Sequence, residues 1–442
     1  MNYNTHTLSN GLRIIQLPSA SPVVYCGYAV AAGTRDEQPG REGMAHFCEH
    51  ITFKGTERRS SMKILGYLES VGGDLNAFTN KEETVYHAAV LRDNIDRAVD
   101  LLTDIVFHST YPQAEIDKEV EVIVDEIESY NDSPAELIYD EFENILFKGS
   151  SLGHNILGTA EQVRSFTTED ALRFTRKLYR PDNAIFFAYG DIDFKKLVKL
   201  VGRALADDDS GKLAEEDCHA DFSGGTGFAG DENSITTEKS VSSVKSVGPK
   251  NYPSVGEEIA GQTIVMQKNT HQAHVMIGTR AYDVNDDRRM PLYLLNNILG
   301  GPGMNAKLNL ALREHNGLVY TVESTMVAYG DTGTWSIYFG CDEHDIKRCL
   351  RLVRKELDRM MEKPLSDSQL KAAKKQIKGQ IGVACDNREN FALDFGKSFL
   401  HYGWEKNVDC LYEQVEAITS QQIQDVAREL FDKDRLITLI FK

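Results

Sequence analysis

Between Asp207 and Glu258 the chain loses its apolar periodicity, and this interruption constrains the fold more than any other feature. The stretch DDDSGKLAEEDCHADFSGGTGFAGDENSITTEKSVSSVKSVGPKNYPSVGEE is rich in Gly, Ser, Asp and Glu. Such a composition buries too little apolar surface to offset the entropy of ordering the chain, so the stretch reads as a linker. At 442 residues the chain also exceeds what one hydrophobic core serves. The expected organisation is an α+β domain over residues 1–206, a flexible acidic, Gly/Ser-rich linker over 207–258, and a second α+β domain over 259–442.

The two sides follow one plan. Alternating apolar runs such as VVYCGYAVAAG and HVMIGTRAY read as strands, and each leads into longer helical patterns such as SSMKILGYLESVGG and RRMPLYLLNNILGG. The expected architecture is therefore two structurally similar halves, each a mostly antiparallel sheet packed by helices, with LITLIF as the last strand.

Charge and composition remove several classes of function. The net charge of −18, with no long Lys/Arg run, argues against a nucleic-acid partner, because phosphate binding needs clustered cations. Seven cysteines without a CxxC pair read as reduced thiols, which points to the cytoplasm. The first residues lack the basic start and apolar run of a signal peptide, and no stretch of about eighteen apolar residues predicts a membrane span.

The chemistry concentrates in GMAHFCEHITFKGT, residues 43–56. His46 and His50 are four apart, so a helix presents both imidazoles on one face with Glu49 beside them. That arrangement suits zinc, whose catalytic sites take three protein ligands and leave one position open. A third ligand must come from elsewhere, and the acids of AEIDKEVEVIVDEIESYND are candidates. Glu119 and Glu126 lie seven apart there and share a helix face. The competing reading is a solvated helix face with a histidine pair.

Segments well beyond the motif extend the pattern: GREGMAHFCEHITFKGTERR, DLNAFTNKEETVYHAAVL, EIDKEVEVIVDEI, LGHNILGT and NNILGGPGMNAKLNLALREHNGLVYTVES. Together they resemble the pitrilysin/insulinase family of zinc peptidases, whose motif has this inverted HxxEH order. In length and layout the chain is most similar to short bacterial members that resemble the β subunit of mitochondrial processing peptidase. The resemblance covers nearly the whole chain except the linker.

The resemblance implies a metalloendopeptidase or oligopeptidase that holds Zn2+ on His46, His50 and Glu126, with Glu49 as general base and Glu119 as a supporting carboxylate. The 76 residues from His50 to Glu126 are the type of spacing that the family uses. It assigns Asn76, Ala77 and Phe78 to a strand edge that binds substrate. Arg313 and Tyr320 resemble the Arg and Tyr that the family brings from its C-terminal half to the zinc. A chain this short would enclose a peptide or unfolded polypeptide only with a partner, as a homodimer or a paralogous heterodimer. The alternative is a non-catalytic structural or assembly subunit of the same fold.

Several other features carry no assigned chemistry. Cys48 projects away from the histidine face and reads as a small buried hydrophobe. His87 is expected in the sheet and His154 in a loop, neither as a ligand. NKEE reads as a charged hairpin turn, with Gly72 and Gly73 allowing close approach of the chain before it. Gly300–Asn305 reads as a flexible connector near the site, because the P-loop lysine is missing. The second half has no HxxEH and is expected to hold no metal.

Overall fold

The structure is a computed structural model that describes residues 1–206, 252, 256, 260–268 and 270–442, so the segment read as a linker lies largely outside the described residues. The first part runs β1 (Asn4–Thr7), β2 (Arg13–Pro18), β3 (Val23–Val30), α1 (Met44–Thr52), α2 (Ser61–Glu69), β4 (Asp74–Thr79) and β5 (Thr84–Leu91). Then α3 (Ile95–Phe107), α4 (Gln113–Asn131), α5 (Pro134–Leu146), α6 (Ala160–Arg164) and α7 (Thr168–Leu178) lead to β6 (Ala184–Gly190) and α8 (Phe194–Ala206).

The second part opens with β7 (Thr263–Met266), β8 (Ala273–Ala281) and α9 (Arg289–Gly300). A π-helical turn at Asn309–Glu314 precedes β9 (Val319–Ala328) and β10 (Gly333–Cys341). The chain continues through α10 (Ile346–Glu362), α11 (Asp367–Cys385), α12 (Arg388–Tyr402), α13 (Val408–Ala417) and α14 (Ser420–Leu430) to β11 (Ile437–Phe441). Local sequence explains these helices. On α10, Ile346, Cys349, Val353, Leu357 and Met360 recur every three or four residues and are all buried. Ser366 with Gln369, and Thr419 with Gln422, form capping boxes that start α11 and α14.

The sheets repeat one topology. Their orders are β1-β2-β6-β3-β5-β4 and β7-β11-β8-β10-β9. Setting β1 aside, each places its strands first, fifth, second, fourth, third. The first and fifth are parallel and the remaining pairs antiparallel in both. LITLIF is thus an inner strand and not an edge. Gly27 and Gly278 sit on the corresponding strands β3 and β8. A Cβ would lie 2.3 Å from Tyr86 O at the first and 2.2 Å from Trp335 O at the second, so both strands approach their neighbour at a distance that excludes a side chain.

Each half lends a helix to the other half's sheet. Helix α12 packs on β6 and β3, while α5 packs on β8 and β11. Phe391, Phe395 and Phe399 of α12 share one core with Ile185 and Phe187 of β6, and Leu137, Ile138 and Phe142 of α5 share another with Met276, Ile437 and Leu439. Gly396 lets α12 lie flush, since a Cβ there would come within 2.9 Å of the Phe187 ring. Near the end of this helix Arg13 of β2 donates to Phe399 O and Leu400 O, both at 2.9 Å. Phe399 O also accepts from the Gly403 amide at 3.1 Å.

Phe395 is fully buried in this shared core. Phe395→Ala is expected to cost about 3–5 kcal/mol and to lower the unfolding of both halves in one transition, as read by denaturant titration. A cost under about 1 kcal/mol would show that the exchanged helix does not hold the halves together.

Candidate metal centre

The helix that carries the histidines starts under strong restraint. Gly43, its N-cap, has φ +92°, and a Cβ on it would lie 2.6 Å from Leu157 O, so no other residue fits. The carboxylate of Glu37 accepts from the amides of Gly43 at 3.0 Å and Ala45 at 2.7 Å, occupying the positive end of the helix. Cys48 is fully buried, its Sγ 3.8 Å from Met44 Sδ, in keeping with a packing residue.

Helix α4 packs across α1 and brings its two glutamates to the histidines. Glu126 Oε1 lies 3.7 Å from His46 Nε2, and its Oε2 lies 3.3 Å from His50 Nε2. Ligands 2.0–2.2 Å from one tetrahedral zinc sit about 3.4 Å apart, so these spacings fit a shared ion. One ligand atom from each of His46, His50 and Glu126 lies within 4.8 Å of the others. Glu119 takes the far side of the same imidazole, its Oε1 3.2 Å from His50 Nδ1, and Lys54 Nζ holds its Oε2 at 2.6 Å. In a neutral His50 that contact would hold the proton on Nδ1 and turn Nε2 toward the ion. His46 Nδ1, by contrast, is buried without a partner.

The electrostatics follow the contacts. Burial pulls His46 down to about 4, with His50 adding to the effect and Glu126 opposing it. Burial pulls His50 the same way, but hydrogen bonds to Glu119 and Glu126 outweigh it and raise the group to about 9. Glu126 is held below the carboxylate range by its bond to His50. Glu49 is pushed up by burial, against a hydrogen bond from Thr79 Oγ1 to its Oε2 at 2.6 Å. Glu49 is 9% exposed and makes no hydrogen bond to either histidine, which leaves its second oxygen available beside the three ligand atoms.

The other expected residues are distributed as follows. Asn76, Ala77 and Phe78 lie on β4, the outermost strand of the first sheet. Ala77 faces the first half's core, and Phe78 turns toward the core that the two halves share, with Lys397 Nζ 5.8 Å from its ring centre. Arg313 lies on the π-helical turn and Tyr320 on β9, the outermost strand of the second sheet. The Arg313 guanidinium is 5.7 Å from the Tyr320 ring, and Tyr320 is 82% exposed. Neither is hydrogen-bonded or ion-paired to the His46 cluster. His87 is buried on β5 beside Glu389, and burial lowers it.

The glycines and turns near the site are now defined. NKEE joins β4 to β5 as a charged hairpin turn, and Lys81, Glu82 and Glu83 are all buried. Arg35 binds Glu82 at 2.7 Å and Asp331 at 2.6 Å, Glu82 meets the Gly330 amide at 3.3 Å, and Glu83 meets His401 at 3.0 Å. The charges are buried because each finds an opposite partner, several of them across the two halves. Gly72 and Gly73 divide their roles: Gly72 adopts φ +71° in open space, whereas a Cβ on Gly73 would lie 2.9 Å from Val90. Gly300–Asn305 joins no ligand; it packs on α11, where Asn305 Nδ2 donates to Gln376 Oε1 at 2.9 Å.

Sequence reasoning missed Thr79, Lys54 and Glu37, which hold Glu49, Glu119 and the start of α1. Thr79 and Lys54 meet partners distant in sequence, whereas Glu37 reaches amides six and eight positions on, and no spacing rule marks any of the three. On the second half, α9 buries Leu292, Leu295 and Leu299. Besides the His46 cluster, the described residues hold one further group of possible ligands, Asp342, His344 and Asp345, at the surface.

Residues 14–160 match the family described as Insulinase (Peptidase family M16), and residues 165–377 match Peptidase M16 inactive domain. The first span contains the whole His46–Glu126 cluster. The chain is 30% identical over 439 residues to an uncharacterized zinc protease of Streptomyces coelicolor, covering 98% of this chain and 88% of that one. It is 29% identical to the uncharacterized zinc protease YmxG of Bacillus subtilis, covering 98% and 97%. Among solved structures, a protease from Helicobacter pylori superposes with a TM-score of 0.81 at 19% identity, covering 100% of this chain and 99% of that one. The peptidase M16 inactive domain from Pseudomonas fluorescens gives 0.82 at 16%, covering 100% and 98%. With its fold, its HxxEH helix and these matches across nearly its full length, the chain belongs to the insulinase family, peptidase family M16.

Proposed function

We propose that the protein is a zinc-dependent endopeptidase or oligopeptidase. One observation carries the reading: two imidazoles and a carboxylate converge within 4.8 Å, and another carboxylate, the buried Glu49, feels the charges of His50 and Glu126 without joining the group. His46, His50 and Glu126 would hold the ion. Bound zinc supplies Lewis acidity, making water acidic near neutral pH and a peptide carbonyl electrophilic. Glu49 takes up a proton from the attacking water and returns it to the departing amine, a role suited to a carboxyl raised by burial. Thr79 fixes one Glu49 oxygen and so aims the other. Glu119 and Lys54 orient His50.

The substrate is an extended peptide added to the open edge of β4 along Asn76, Ala77 and Phe78. Arg313 and Tyr320 complete the site from across a chamber closed by a second copy or a paralogue, and their exposure in the single chain supports that arrangement. The description of the second matched span as inactive falls on 165–377, outside the motif, and so does not favour a non-catalytic subunit. Among the described residues no helix is long and apolar enough to cross a membrane, and Cys26, Cys48, Cys341 and Cys349 are free and buried, which supports a cytoplasmic enzyme.

Metal analysis of protein purified without added zinc, together with peptide-library cleavage mapped by mass spectrometry, tests the proposal. About one zinc per chain and chelator-sensitive cleavage are expected. Cleavage by zinc-free protein would overturn it.

Zinc uptake should also release a proton. In the metal-free protein His50 is raised to about 9 and stays protonated at neutral pH, whereas His46 is lowered to about 4 and is already neutral. The ion therefore competes with one proton, and its affinity should rise about tenfold per pH unit from pH 6.5 toward the raised His50 value, then level off. Calorimetry in buffers of different ionisation enthalpy measures this, and a flat profile would show that His50 is already neutral before the ion binds.

A further inference from the structure

The loop around His154 touches both elements that place Glu49. On one side its ring Nε2 lies 3.0 Å from Glu37 Oε2, the carboxylate that receives the first-turn amides of α1. On the other side its backbone carbonyl accepts from Lys81 Nζ, which also donates to Leu152 O at 3.2 Å. Lys81 stands two residues after Thr79, whose hydroxyl holds the Glu49 carboxylate. The base thus has two supports, the helix that bears it and the hairpin that orients it, and His154 bridges them.

The charges in this bridge are buried. The Glu37 side chain is 1% exposed and the Lys81 side chain 4%. Buried charges are costly unless fully paired, and well-packed apolar residues would stabilise the fold as well or better. What charge and hydrogen bonding add is direction: the His154 ring meets Glu37, and Lys81 donates to the carbonyls of Leu152 and His154, which ties α1 to the β4–β5 turn. Glu143, 3.8 Å from Lys81, receives the Tyr329 hydroxyl from the second half, so the turn is held from both sides of the molecule.

We infer that His154 and Lys81 are positioning residues for the general base, forming with Glu37 a buried bracket that sets Glu49 against Thr79. Neither residue touches substrate or the ligand atoms. The inference rests on the peptidase reading, and its test separates the two.

His154→Leu removes the donor to Glu37, whereas His154→Gln keeps an N–H donor at similar reach. The leucine variant should keep its zinc and lose about 10- to 100-fold in kcat with KM changed less than about twofold, because small misplacement of a reacting group costs this much. The glutamine variant should recover to within about threefold of the wild type. Lys81→Met, close in size, should show the same split if the bracket acts from the hairpin side. Paired with Thr79→Val, His154→Leu should be non-additive in kcat, the double variant losing about as much as the worse single one. A purely structural role would give additive losses that track thermal stability.

Hydrogen exchange of a peptide covering residues 41–48 provides a readout independent of turnover, and the Gly43 and Ala45 amides should exchange faster in His154→Leu. Wild-type kcat in both His154→Leu and Lys81→Met would overturn the bracket, as would unchanged exchange. A wild-type protein without zinc-dependent cleavage would overturn the peptidase reading instead, and exchange would still decide whether His154 holds α1.

Discussion

Glu49→Gln should keep its zinc and lose about 10²- to 10⁴-fold in turnover, the range for a general base, whereas Glu126→Gln should lose both metal and activity. The two side chains differ in what they face. Glu126 spans both histidines, at 3.7 and 3.3 Å, and as a ligand it would supply the negative charge that offsets the ion. An amide at that position carries no charge and turns an N–H toward the ion or a histidine. Glu49 makes its hydrogen bond with Thr79, so the amide leaves the ligand set intact and removes only the proton acceptor. Glu119→Gln falls between them, weakening zinc affinity by about 10- to 100-fold through the His50 orientation it no longer fixes. Zinc content after dialysis, with kcat on a cleaved peptide, checks all three. Full zinc and full rate in Glu126→Gln would refute the ligand assignment.

The parts of this site that were legible in the sequence are those written in local periodicity. His46, Glu49 and His50 fall on a helix whose i, i+4 geometry needs no tertiary information, and the strand Asp74–Thr79 follows its own alternation. Glu119 and Glu126 mark the limit of this reading. Seven residues apart, they share a face of α4, and helix geometry does not say which one ligates. The crossing with α1 separates them, setting Glu126 against both Nε2 atoms and Glu119 against His50 Nδ1 and Lys54.

What the sequence hid is what depends on contacts between its halves. Lys81, Glu82 and Glu83 read as a charged turn, but nothing local shows that it is buried, since Glu82 pairs with Arg35 47 positions away and Glu83 with His401 318 positions away. The exchange of α5 and α12 between the sheets is hidden for the same reason, since an amphipathic helix does not declare whose sheet it will cover. His154 read as a loop residue, and it is one; its importance comes from Glu37, 117 positions earlier.

The second large effect concerns residues that the single chain leaves apart from the histidines. Tyr320→Phe should leave zinc content and thermal stability unchanged, because the side chain is 82% exposed, with the Arg313 guanidinium 5.7 Å from its ring. If the hydroxyl donates to the developing oxyanion once substrate is enclosed, its loss should cost about 10²- to 10³-fold in kcat, or about 2.7 to 4 kcal/mol, with little change in KM. Tyr320 stands on the outermost strand of the second sheet, as the proposed substrate strand stands on that of the first, so a partner copy is one source of the donor. Mixing Glu49→Gln chains with Tyr320→Phe chains distinguishes the sources. Should the hydroxyl act across the dimer, some mixed pairs contain one site with both residues intact and activity returns in part, once subunit exchange has been shown with tagged chains. Proven exchange without recovery would place the hydroxyl in its own chain's site. A Tyr320→Phe protein at the wild-type rate would remove the residue from catalysis, leaving its pairing with Arg313 as a surface contact.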